Sequence, residues 1–314
     1  MFDQAAELRQ RMTALAERKA GPMPPPQVVV VWGAMPGVGA SSAAVNLAVE
    51  LGRQGRRVLL VDAAIDGEAT RLCRLHEPGA AHRAGFCGAT LADVYRGRRS
   101  LVAAILRSSH GLRVVGNPGG AAHPAPPTSE ELVTLSDEIT RLSSEADLVV
   151  VDGGSGDSHV AMSLAQRADR VLLVTTVADV AVMEAYAAAK RMVAAGSAVD
   201  VAVVVSRATV AAEAENAFAR LKHGCRRFLG RELAWAGCVL EDPTVADAYA
   251  CAAPFVALSP RCEAARGIQQ TADALLAALS SRTQAIADER EQPREHCDER
   301  HDVTQLLTTL GEAA

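Results

Sequence analysis

The chain has 314 residues, 49% of them apolar and 22% charged, with a formal net charge of −5. That length supports one large α/β domain or two smaller ones with a full core. The acidic balance excludes a generally basic nucleic-acid binder, and no apolar run approaches the roughly 18–20 residues of a membrane-spanning helix. Most of the excess charge sits in residues 282–314, which hold four arginines against eight acids, so the body is nearly neutral. The start, with Asp3 and Glu7, lacks the basic stretch, apolar run and cleavage site of a signal peptide, which predicts a soluble, cytoplasmic protein. Seven scattered cysteines without a C-x-x-C pair predict neither a zinc site nor a disulfide framework. Of the 32 basic residues only Lys19, Lys190 and Lys222 are lysines.

Residues 3–19 space Ala5, Leu8, Met12 and Leu15 along one helical face behind Asp3 as N-cap, which predicts a short amphipathic helix within residues 1–20. The stretch 21–26, Gly21 to Pro26, cannot continue it, because proline lacks the amide donor, and reads as a linker. From 27 to 281, β-branched runs at 28–32, 57–62, 112–115, 147–152, 170–175, 200–206 and 235–239 alternate with helical windows. Those windows fall at about 41–54, 129–144, 157–167, 179–195, 211–228 and 260–280. The alternation predicts an α/β fold, a three-layer, doubly wound and mostly parallel sheet. Thr128-Ser129-Glu130-Glu131 reads as a capping box. The tail 282–314 is acidic and expected to be disordered up to a last short helix in which Val303, Leu306, Leu307 and Leu310 share a face. With no Lys or Arg beyond Arg300, that helix predicts weak or no membrane contact of its own.

The first strand runs into Gly33-Ala34-Met35-Pro36-Gly37-Val38-Gly39-Ala40-Ser41-Ser42 and then a helix. Such a turn aims backbone amides and a helix N-terminus at a phosphate. Its glycines resemble the turn of short-chain dehydrogenases, and Tyr186 with Lys190 resembles their catalytic pair. However, the strand ending Val151-Asp152-Gly153-Gly154 lacks that family's paired Asn, and Leu173 stands near the expected Ser. Laid on the P-loop of the MinD/ParA ATPases, Lys-Gly-Gly-x-Gly-Lys-Thr, the same residues read Met35, Pro36, Gly37, Val38, Gly39, Ala40, Ser41.

A set of segments in matching order sharpens the second resemblance. Asp3-Gln4-Ala5-Ala6-Glu7-Leu8-Arg9, Leu91-Ala92-Asp93-Val94, Gly111-Leu112-Arg113-Val114-Val115, Arg226-Arg227-Phe228-Leu229-Gly230 and Glu241-Asp242-Pro243-Thr244-Val245 are similar to the FlhG/YlxH branch of the MinD/ParA family. The resemblance implies a P-loop NTPase fold, Mg-ATP as cofactor and a role in setting flagellar number and position. It further implies a nucleotide site at Gly33, Gly37, Gly39, Ala40, Ser41, Ser42 and Arg207, with Ser41 and Asp152 on Mg²⁺. Asp3, Gln4, Leu8 and Arg9 would bind and stimulate an FlhF-type GTPase of the signal-recognition-particle kind, and a homodimer is a family possibility.

The departures fall on the chemistry. Met35 and Ala40 replace both P-loop lysines, and Ala64 stands where the family has an aspartate, with Asp66 close by. Ser206-Arg207 and Leu240-Glu241-Asp242 replace the Asn-Arg and Pro-x-Asp that hold the base. A P-loop catalyst needs positive charge on the phosphates, so the expectation is a pseudo-ATPase scaffold acting through its N-terminal helix. The alternatives are an active ATP-hydrolysing positioning switch and a scaffold of a pilus or secretion system.

Overall fold

The computed structural model describes residues 24–75, 88–117, 119 and 127–291. The N-terminal helix with Asp3, Gln4, Leu8 and Arg9, and the helix around Val303–Leu310, lie outside the described residues. The chain divides into two compact units, one through Leu276 and one from Ala277.

Eight strands form one sheet in the order β3-β4-β2-β5-β1-β6-β7-β8. They are β1 (Gln27–Gly33), β2 (Val58–Asp62), β3 (Leu106–Arg107), β4 (Arg113–Val115), β5 (Leu148–Ser155), β6 (Arg170–Thr176), β7 (Asp200–Ala208) and β8 (Ala234–Leu240). Every neighbouring pair is parallel except β3 with β4. The central strands are runs such as Val-Val-Val-Val-Trp and Val-Leu-Leu-Val-Asp whose side chains are buried on both faces, as a parallel sheet sandwiched by helices requires.

All seven predicted strands are present, which gives the three-layer doubly wound P-loop NTPase architecture. The eighth, β3, is two residues long, too short to leave an alternating pattern in the sequence. The helices are α1 (Ala40–Arg53), α2 (Glu68–Leu72), α3 (Leu91–Tyr95), α4 (Ser129–Thr140), α5 (His159–Ala165), α6 (Asp179–Ala194), α7 (Ala211–Leu229), α8 (Pro243–Ala250), α9 (Phe255–Leu258) and α10 (Glu263–Glu291). Four short ones, α2, α3, α8 and α9, were not legible from periodicity. The capping box before α4 is formed: Glu131 donates its amide to Thr128 Oγ1 at 3.2 Å and Thr128 donates its own to Glu131 Oε2 at 2.7 Å. α10 runs past the expected boundary at 281/282 to Glu291. Charge alone does not stop a helix, and residues 282–291 contain neither Gly nor Pro; the first breaker is Pro293.

β1 lies at the centre, with β5 on one side and β6 on the other. The chain leaves these strands towards opposite flanks, so a crevice opens at their carboxyl ends, where ligands of such sheets bind. Among the described residues no helix is long and apolar enough to cross a membrane.

Candidate nucleotide-binding site

The glycine loop occupies the head of that crevice. A Cβ on Gly33 would lie 2.9 Å from the Cβ of Ser155 and 3.0 Å from that of Ala40, so only glycine lets β1 turn there. Gly37 and Gly39 adopt φ of 83° and 86°, a left-handed conformation that L side chains resist. Gly39 caps α1 with no side-chain hydrogen bond, which leaves the first helical amides open to a ligand.

Neighbouring strands fasten the loop from behind. Ala34 donates its amide to Val174 O at 2.8 Å. Ser206 Oγ donates to Val38 O at 2.6 Å, and Arg207 Nη1 donates to Gly37 O at 3.1 Å. Arg207 is also one of three non-glycine residues with positive φ among the described residues, at 55°.

Two fully buried aspartates stand side by side where β2 ends, Asp62 opposite Asp152 of β5 in the register. Burial lifts the Asp152 carboxyl to about 6, against the pull of the nearby Ser41 hydroxyl and of the Gly154 amide, which donates to Oδ1 at 3.0 Å. Asp152 Oδ2 is buried and makes no hydrogen bond among the described residues. Asp62 is pushed well above the usual carboxylate range, first by burial and then by the charge of Asp152, although Thr70 hydrogen bonds oppose the rise.

Thr70 also connects two loops. Its amide and Oγ1 donate to Asp62 Oδ2 at 2.7 and 2.6 Å, and its Oγ1 accepts the Asn117 amide at 2.8 Å. Asn117 Nδ2 in turn donates to Ala64 O at 2.6 Å. Gly67 is so close to this turn that a Cβ would lie 2.5 Å from Asn117 O. The segment after β2, where the family's aspartate is replaced by Ala64, is thereby tied down by the protein's own groups.

A cleft of about 820 Å³ runs from the loop to the ends of β7 and β8. The phosphate-side positions Gly37, Gly39, Ala40, Ser41 and Ser42 line it together with Arg207, Leu240, Glu241 and Asp242, so the two ends inferred from separate motifs form one pocket. Gly33 and Asp152 are not among its lining residues. α2 and α8 meet at its mouth, where Arg71 pairs with Glu68 through two bonds of 3.1 Å and stacks 4.1 Å from the centre of the Tyr249 ring.

The fit to Mg-ATP is divided. The oxygen donors suited to a hard divalent ion are present as the Ser41 hydroxyl and the orphaned Asp152 Oδ2. The charge suited to a triphosphate is not: among the described residues Arg207 is the single cation on a wall that also holds Asp66, Glu68, Glu241 and Asp242. Residues that sequence reasoning missed here are Thr70, Asn117 and the apolar wall of Phe255 and Ile268. The Asp66-Gly67 and Asn117-Pro118-Gly119 turn signals were the available hint. Tyr186 packs against the core and against Gly224, while Lys190 is exposed on α6, and neither lines the cleft.

The family described as cellulose biosynthesis protein BcsQ matches residues 26–276. The antiactivator FleN of Pseudomonas aeruginosa is 30% identical over 232 residues, which cover 73% of this chain and 78% of FleN. Among solved structures, MinD in the Aquifex aeolicus MinC:MinD cell division complex superposes with a TM-score of 0.64 at 22% identity, over 80% of this chain and 96% of that one. The septum site-determining protein MinD of Pyrococcus horikoshii, solved with Mg-ADP, gives 0.60 at 19% identity over 80% and 95%.

Proposed function

The chain belongs to the MinD/ParA family, in the BcsQ-like and FlhG branch of it, and we propose that it is a regulator of flagellar number and placement in which the ATPase fold serves as a non-hydrolysing scaffold. One observation carries this reading: the positions of both P-loop lysines hold Met35 and Ala40, and Arg207, the sole cation among the described residues of the cleft wall, donates to the Gly37 carbonyl. A buried polyphosphate needs charge-assisted donors, and the described wall offers one arginine against Asp66, Glu68, Glu241 and Asp242. The loops that a nucleotide would order are instead held by Thr70, Asn117 and Ser206.

The active element is then the N-terminal segment, with Gln4 approaching the nucleotide site of an FlhF-type GTPase, Asp3 and Arg9 fixing the helix and Leu8 buried against the partner. That the similar protein FleN is an antiactivator supports a regulatory rather than a metabolic role. Homodimerisation, which the resemblance couples to nucleotide, is not required for it.

The test is GTP hydrolysis by the cognate FlhF-type GTPase in the presence of the full chain. Stimulation that is unchanged by Mg-ATP and lost in Gln4→Ala is expected; no stimulation, or stimulation equal in the variant, overturns the proposal. The matching family is one of cellulose biosynthesis proteins, which supports a second reading, a scaffold for a cellulose-biosynthesis machine rather than for the flagellum. Retention of a cellulose-biosynthesis component in place of the GTPase, by the full chain used as bait, would favour it.

A further inference from the structure

We propose that the cleft takes an uncharged organic ligand of nucleoside size and discriminates against polyphosphate, the reverse of a P-loop's usual preference. This inference rests on the reading of the loop as non-catalytic and adds what the cleft binds instead.

Size and wall chemistry carry it. About 820 Å³ is within the range of small-molecule pockets. Leu72, Val239, Leu240, Val245, Phe255 and Ile268 supply an apolar wall remote from the loop. At the other end the α1 amides behind Gly39 are open donors. Three of the four wall carboxylates are already engaged: Asp66 with the Glu68 amide at 3.3 Å, Glu68 with Arg71, and Asp242 as the cap of α8, where it accepts from the Thr244 amide at 2.9 Å and from the Glu263 amide at 2.9 Å. Glu241 has no side-chain partner among the described residues and remains available as an acceptor for a hydroxyl or amine. A neutral ligand therefore meets donors, acceptors and apolar surface. Each added phosphate brings negative charge into a wall whose described residues already carry a formal negative excess, with their one arginine turned to a carbonyl.

The experiment is equilibrium titration of the full chain with adenosine, AMP, ADP and ATP as probes, with and without Mg²⁺. Adenosine is expected to saturate, and affinity to fall by about tenfold or more from adenosine to ATP, as like charge accumulates. Ala40→Lys is expected to raise ATP affinity relative to adenosine by about thirtyfold or more. Leu240→Asp, placed on the apolar wall, is expected to weaken adenosine by a similar factor, with thermal unfolding checked for an intact fold. ATP binding more tightly than adenosine overturns the inference. Silence of adenosine and ATP alike overturns it while leaving the scaffold reading standing; ATP turnover overturns the scaffold reading itself.

Discussion

Asp152→Asn removes a charge that the fold holds at a cost. The carboxyl titrates near 6 in the folded protein against 3.8 as its ordinary value. Between about pH 4 and pH 6 the native state keeps a proton that the unfolded chain has released, so stability falls as the pH rises through that window. At 1.36 kcal/mol per unit, the shift amounts to about 3 kcal/mol withheld by pH 8, or roughly 6–12 °C in Tm for a domain of this size. Asparagine retains an oxygen for the Gly154 amide and carries no charge. The variant should therefore exceed the wild type in stability at pH 8 and lose that advantage near pH 4. Comparing the two pH values cancels any pH-independent cost of the amide. Asp62, raised in the same direction partly by the charge of Asp152, relaxes when that charge is gone and enlarges the effect. Thermal unfolding followed by circular dichroism from pH 4 to pH 8 measures it. A variant no more stable than the wild type at pH 8, or one whose advantage grows towards acid, refutes the reasoning.

Thr70→Val should cost about 2–4 kcal/mol, because it leaves the Asn117 amide without its acceptor and Asp62 with one hydrogen bond fewer. Urea denaturation gives the cost, and faster amide exchange at Asn117 locates it; unchanged protection there would count against the network. Gly67→Ala, which drives a Cβ into backbone atoms of Asn117 and Gly119, should destabilise by about 3 kcal/mol or more. Gly55→Ala, with a similar positive φ but open space around it, should cost only about 1 kcal/mol; equal losses at the two sites would contradict the crowding. Tryptophan fluorescence should divide into a fraction inaccessible to acrylamide, from fully buried Trp32, and an accessible one from Trp235, which is 37% exposed; Trp235→Phe should abolish the accessible fraction.

The parallel core was readable from the sequence because strands buried on both faces are unbroken runs such as Val28-Val29-Val30-Val31-Trp32, a signal independent of tertiary detail. The loop was equally readable, since positive φ at Gly37 and Gly39 and the close approach at Gly33 tolerate little else. Legibility failed for helices only one or two turns long. α2, α8 and α9 span five, eight and four residues, too few turns for an apolar face to repeat. They are the pieces that close the cleft, so its apolar wall was hidden with them. The Asp62–Thr70–Asn117 chain escaped for another reason: its members are 8 and 47 residues apart, and only the sheet order brings them together. Charge patterning in 282–291 suggested coil, yet helix needs only the absence of breakers and a few compatible side chains.

Titration calorimetry of the full chain with Mg-ATP tests the central claim most directly. Each missing lysine removes a charge-assisted contact of about 2–5 kcal/mol, so two together weaken binding by roughly a thousandfold or more. No saturable heat is expected for the wild type at concentrations up to about 1 mM, where an interaction of about −4 kcal/mol would half-saturate, and saturable binding is expected to return in the double variant Met35→Lys, Ala40→Lys. A saturable wild-type isotherm with a Kd of about 10 μM or tighter, accompanied by release of phosphate, would contradict the account.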